Sequence, residues 1–174
     1  MRERLAVVLA MVSGSMTMSA SSLSRPRKFL VVVDRTPECK VALRFAARRA
    51  QHTGGRVTLL CVPHQADFQQ WKGVEEIMQD EAHRDAESLV YEAAKSVNEL
   101  AGIVPELLIE HGVPGECLLD LVSRDKDISI LVLASGTSKD GPGPLVSLFA
   151  STVQAIPVTI VPGDLSDEAV DELA

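Results

Sequence analysis

The sequence predicts a doubly wound α/β domain: a five-stranded parallel sheet with helices on both faces. Three observations predict it. Short β-branched runs such as FLVVV, residues 29–33, carry no polar alternation, which is the pattern of strands covered on both faces. Between these runs lie segments whose apolar residues recur at about every 3.6 positions, the period of a helix with one buried side. Glycine and proline mark the junctions, and strands joined in this way by helices cross over right-handed into a parallel sheet.

The elements follow in order. After the first strand, Thr36 and Pro37 open a helix. Proline suits the first helical position, where a missing N–H costs nothing, and Glu38 lies favourably against the helix dipole. Val41, Leu43, Phe45, Ala46 and Ala50 are its expected buried side, and Gly54 with Gly55 closes it, since glycine accepts the left-handed conformation of a C-terminal cap. A second strand, RVTLLCV, spans 56–62, and a long amphipathic helix spans 74–100 with a solvated charged face in EEIMQDEAHRDAE. A third strand at 106–110, a helix at 114–124, a fourth strand at 128–133, a short helical segment and a last strand, VTIV at 158–161, complete the alternation.

The chain of 174 residues, 46% hydrophobic and 24% charged, provides a core for one ordinary domain. Its formal net charge of −7 lacks the basic excess that a phosphate-tracking surface needs, which argues against nucleic acid or an anionic membrane as partner. Cys39, Cys61 and Cys117 are odd in number and far apart, and His52, His64, His83 and His111 show no metal-ligand spacing. A reducing, cytoplasmic compartment and no metal site are expected.

Residues 1–24 combine Arg2, Arg4, the apolar LAVVLAMV and the small-residue SGSMTMSASS in the order of a secretory signal. The apolar run is too short to span a bilayer, and Met11, Met16 and Met18 leave room for a start site further along, so this segment is read as a disordered or misassigned extension. The domain proper is placed at 25–163. The acidic tail 164–174 is either a short helix capped by Asp164 or Ser166 or a frayed end.

Ligands of open α/β sheets bind in the crevice outside the carboxyl ends of the strands, where strand order reverses. Two places qualify: Asp34 with Thr36 after the first strand, and the loop Ser135–Pro144 after the fourth. The loop holds Gly136, Gly141, Gly143, Ser135, Thr137, Ser138 and Lys139, the materials of an anion site. It holds no GxxxxGK[ST] or GxGxxG, and Pro142 and Pro144 remove two N–H donors. Phosphate cradle and plain connector both remain open on these residues. Asp34 with Glu38 is an acid/base or magnesium pair, or two carboxylates favoured at a helix start. Cys61 is a reactive thiol or a small buried hydrophobe.

KFLVVVDRTPECKVALRFAARRA, GGRVTLLCV, ISILVLAS and IPVTIVPG together resemble a universal stress protein domain over residues 27–163. The resemblance implies a Rossmann-like, adenine nucleotide alpha hydrolase-like sheet of order 3-2-1-4-5, with Asp34 beside the loop after Leu133, and a homodimer formed through the last strand. ATP-binding members carry G-x2-G-x9-G-[ST]. Here Ser138-Lys139-Asp140-Gly141, nine residues and Ser151-Thr152 reproduce the spacing, with serine in the first and third glycine positions. By resemblance Asp34 lies near the adenosine, Val62 lines the base, and Ser151 and Thr152 contact phosphate. Thr36, Ser135, Ser138 and Gly141 complete the implied site. The implied function is a non-catalytic stress-response binding or regulatory protein that holds ATP with Mg2+, or a related adenine nucleotide. The alternatives are a nucleotide-free dimeric interaction module and, third, a nucleotide hydrolase on the same fold.

Overall fold

The central strand of the sheet is β1, Lys28–Val32, and every other element is placed by reference to it. The computed structural model describes residues 26–63, 75–137, 139, 141–151 and 156–174, with backbone alone for 75–79. The expected N-terminal extension, residues 1–24, and two of the expected site residues, Ser138 and Thr152, lie outside the described residues.

From β1 the chain runs through α1 (Pro37–Thr53), β2 (Arg56–Cys61), α2 (Glu75–Ala101), β3 (Glu106–Ile109), α3 (Pro114–Arg124), β4 (Ile128–Ser135), α4 (Pro144–Ser151), β5 (Val158–Pro162) and α5 (Asp167–Leu173). The five strands are parallel in the order β3-β2-β1-β4-β5, as expected. Val31 pairs with Leu59 of β2 on one side and with Val132 of β4 on the other. Strand order therefore reverses at β1.

Alternate residues of β1 serve opposite faces. Phe29, Val31 and Val33 pack against α1 and α2, whereas Leu30 packs against Leu118 and Leu121 of α3 and Phe149 of α4. Pro37 occupies the first turn of α1, and Gly54 closes it at φ 63°. The buried stripe of α1 is Cys39, Ala42, Leu43, Ala46, Ala47 and Ala50, while Val41 and Phe45, expected in it, are only half-buried. Small side chains sit where the helix comes closest to the sheet, and the bulkier two flank that line.

The C-terminal segment docks on the outer side of α1. Ser166 caps α5 by accepting the Ala169 N–H at 3.3 Å, and Val170 is buried. Arg44 grips Asp171 with two parallel bonds, Nε to Oδ1 at 2.8 Å and Nη2 to Oδ2 at 2.7 Å, while Arg48 Nε adds a third at 3.1 Å. Arg49 donates to the Ala174 carbonyl at 3.0 Å. The hydrogen bonds from Arg44 and then Arg48 hold the Asp171 carboxyl down to about 2.

At the amino ends of the strands an ion triad centred on buried Lys28 ties four of them together, its Glu106 and Asp125 reaching solvent. Lys28 Nζ lies 2.5 Å from Glu106 Oε2 at the start of β3 and 2.6 Å from Asp125 Oδ2 before β4. Thr58 Oγ1 of β2 donates to the same Glu106 oxygen at 3.0 Å. Burial by itself pushes Lys28 down, but its bonds to Asp125 and Glu106 outweigh that and leave it raised. Glu106 and Asp125 are each lowered, first by the bond from Lys28.

Lys28→Met should therefore lower stability in urea titrations by about 1–3 kcal/mol, because two carboxylates lose their shared donor. The carboxylate contribution is present above about pH 4 and disappears as pH falls through the lowered folded values; the lysine contribution is present below about pH 10 and disappears as pH rises through the raised one. The difference between wild type and variant should be largest between those limits and shrink outside them.

Candidate functional site

A cleft of about 640 Å³ opens at the carboxyl ends of β1 and β2, within the size range of small-molecule sites. Its floor is the end of β1, Val32 to Arg35, and the end of β2, Cys61 to Pro63. Ala82, Asp85, Ala86 and Leu89 of α2 form one wall. Val113, Pro114 and Gly115 at the start of α3 form another, and Pro144, Leu145 and Leu148 of α4 close the side toward β4. Gly115 keeps α3 and α4 close: a Cβ there would lie 2.7 Å from Leu148 Cδ2. Apolar surface dominates, with Asp34, Arg35 and Asp85 as the charged lining.

Asp34 is fixed by a tight local turn. Its Oδ1 accepts the Thr36 N–H at 2.9 Å and the Thr36 hydroxyl at 2.5 Å. Both bonds fall on one oxygen, and the carboxylate remains exposed at the cleft floor. Thr36 thus orients Asp34 rather than lining the cleft. Arg35 Nη2 lies 3.2 Å from Asp85 Oδ2, linking the β1 end to α2, with both side chains largely exposed.

The loop after β4 is braced from below. The Gly136 N–H donates to the Pro142 carbonyl at 3.0 Å, and Glu38 Oε1 accepts the Thr137 N–H at 3.2 Å and its hydroxyl at 3.3 Å. Gly141 and Gly143 take φ of 100° and 98°, conformations that glycine tolerates best. The Glu38 carboxyl is lowered, first by its own backbone N–H and then by that of Thr137. The Ser135 carbonyl accepts the Gly163 N–H at 3.2 Å.

The structure brings Asp34 and Val62 together in the cleft, with Thr36 beside Asp34. Ser135 ends β4 and Gly141 belongs to the braced loop, both outside the cleft lining. Ser151 ends α4, and its hydroxyl donates to the carbonyls of its own helix, Ser147 at 2.9 Å and Leu148 at 3.0 Å. Arg35, Asp85, Leu148 and the Val113–Gly115 turn were not foreseen as cleft residues. The turn carried a usable signal: GVPG follows a strand, and the carboxyl end of each strand borders the crevice.

The cysteines offer little nucleophilic chemistry. Burial, above all, pushes Cys39 up to about 11 and raises Cys61, where the neighbouring Asp34 charge adds to it. Among the described residues no group of three or more His, Cys, Asp or Glu is placed to hold a metal ion, and no helix is long and apolar enough to cross a membrane.

A doubly wound parallel sheet with a ligand-sized cleft at its switch point defines the class of α/β binding domains that take their ligand at the strand ends. Within that class the chain belongs to the universal stress protein family, whose model matches residues 26–162. No curated protein matches the sequence. Solved structures of similar fold include the universal stress protein UspA of Lactobacillus plantarum, 18% identical with TM-score 0.67 over 79% of this chain and 99% of that one. A universal stress family protein of Arabidopsis thaliana with AMP bound is 20% identical, TM-score 0.59, over 82% of this chain and 95% of that one. The universal stress protein of Archaeoglobus fulgidus in complex with dAMP is 19% identical, TM-score 0.56, over 79% and 98%.

Gly163 is where the ends of β4 and β5 meet α1: an added Cβ would lie 2.4 Å from both the Ser135 carbonyl oxygen and Glu38 Cγ. Gly163→Ala should lower the urea midpoint by an amount equivalent to about 2 kcal/mol, since a backbone atom must give way. It should also perturb the Thr137 amide resonance, because the Glu38 brace moves with it.

Proposed function

We propose that this protein is a non-catalytic, stress-responsive binding protein that holds an adenine nucleotide in the cleft at the end of β1. The carrying observation is the cleft itself, which places Asp34 and Val62 in one apolar, nucleoside-sized space at the point where strand order reverses. The base fits the apolar part between Val62 and the Val113–Gly115 turn, and the Asp34 carboxylate suits the ribose hydroxyls. The bound AMP and dAMP of the family structures named above support this reading. ATP, with Mg2+ brought by its phosphates, belongs to the same proposal, and the loop Ser135–Pro144, Ser138, Gly141, Ser151 and Thr152 are the residues proposed toward its phosphates.

The protein is proposed to work in the cytoplasm as a homodimer. Free Cys39, Cys61 and Cys117 suit a reducing compartment. β5 is an edge strand whose Ile160 is 41% exposed, and pairing with a second copy would cover it. The braced, proline-bearing loop favours a second reading, a nucleotide-free dimeric module.

Denaturing the purified full chain and analysing the supernatant by absorbance and mass, alongside thermal melts with AMP and with ATP, separates the two. Released adenine nucleotide, or a melting midpoint that climbs with ligand toward the roughly 2.7 kcal/mol expected at a hundredfold excess over Kd, is the expected result. No released nucleotide and no shift at millimolar ligand would support the ligand-free module.

A further inference from the structure

We propose that the outer face of α1 is a receptor for an acidic amphipathic helix of a partner protein, and that α5 covers it in cis as a displaceable stand-in. The helix it fits presents two carboxylates four positions apart, with a branched apolar residue just before the second.

Charge complementarity is the first observation. α5, DEAVDEL, carries Asp167, Glu168, Asp171 and Glu172 and no basic residue. α1 answers with Arg44 and Arg48, likewise four positions apart and therefore on one side of their helix. Arg44 bonds both aspartates, Asp167 at 2.8 Å and Asp171 at 2.8 and 2.7 Å. Arg48 shares Asp171 at 3.1 Å and is itself held in place by donating to the Leu100 carbonyl of α2 at 2.7 Å. Two fixed guanidinium positions thus match a spacing of carboxylates rather than a mere excess of negative charge.

The second observation is how little else holds α5 down. With seven residues it is too short to persist as a helix alone in water, so its order derives from contact with α1. Within the helix only Val170 is buried, and Leu173 is exposed. The Asp167 and Asp171 side chains are 72% and 32% exposed, and ion pairs that reach solvent are screened by salt. Leu165, in the four-residue link from β5, packs against the core and anchors that link. A segment held in this way opens locally, at a lower free energy than global unfolding. Opening leaves Arg44 and Arg48 without the carboxylate they share, and a second acidic helix restores it.

Two measurements on the full chain test this. Asp167→Asn combined with Asp171→Asn, and separately Val170→Ser, should strip hydrogen-exchange protection from the Val170 and Ala174 amides, which bond within this segment, while β1 amides keep theirs. A fluorescent peptide of residues 163–174 should then bind either variant at least about tenfold more tightly than wild type, where the cis helix competes; tenfold corresponds to closure worth about 1.4 kcal/mol. Binding should weaken as salt rises, should be lost when Arg44→Gln and Arg48→Gln are added to Val170→Ser, and should not occur with a peptide of scrambled order. Any of four results would overturn the proposal: α5 amides that stay protected in both variants, β1 protection lost together with theirs, no peptide binding by a variant whose α5 has been released, or binding that ignores the two arginines, the peptide order or the presence of a docked α5.

Discussion

The structure depends on β1 being hydrogen-bonded on both edges and buried on both faces. A central parallel strand must find β2 on one side and β4 on the other, and the helices that return the chain are then forced onto opposite faces. At the carboxyl end this splitting leaves a gap that no backbone among the described residues fills. At the amino end the same strands converge, and the Lys28 triad holds β1 to β3 and to the turn before β4. A buried lysine is costly alone; its two carboxylates compensate it, and the Thr58 hydroxyl donates to Glu106, one of the two. One end of the sheet is thus pinned and the other left open for a ligand.

The open end is organised by short-range chemistry. Asp34 follows β1 directly and is oriented by Thr36, while Pro37 and Glu38 immediately start α1. Six residues from Val33 to Glu38 therefore follow a strand, present a carboxylate and a guanidinium to the cleft, start a helix and brace a loop 99 positions away. Gly163 completes that corner, because no side chain fits between Ser135 and Glu38. At the opposite end of α1, Arg44, Arg48 and Arg49 recruit α5, so one helix joins the site to the C-terminal segment.

Most of the fold was legible in the sequence because its signals are local and mutually consistent. FLVVV, RVTLLCV and the run at 128–133 lie within one or two residues of the observed strands, and Pro37 and Gly54 bound α1 as their backbone preferences require. Val41 and Phe45 pack against the core on the expected side but stay half-buried, because periodicity gives a direction but not the distance between helix and sheet. Asp34 and Val62 were legible as residues just past strand ends. Arg35, Asp85 and Leu148 were not, since each reaches the cleft only through tertiary packing. Ser151 shows the converse: motif spacing singles it out, yet in the fold its hydroxyl is satisfied by its own helix, an ordinary choice for serine near a helix end.

The central claim is that ligand binding occurs at the carboxyl end of β1, between Val62, the Val113–Gly115 turn and the Leu145–Leu148 wall. Amide chemical-shift mapping of the isotope-labelled full chain during AMP titration tests it most directly. The account predicts that the shifted resonances cluster at Val33 to Arg35, Val62, Val113, Gly115, Leu145 and Leu148, with the amino-end residues Lys28, Glu106 and Asp125 unmoved. Saturable shifts centred on the β5 edge, on α5 or at the amino ends of the strands, with those cleft residues silent, would contradict it.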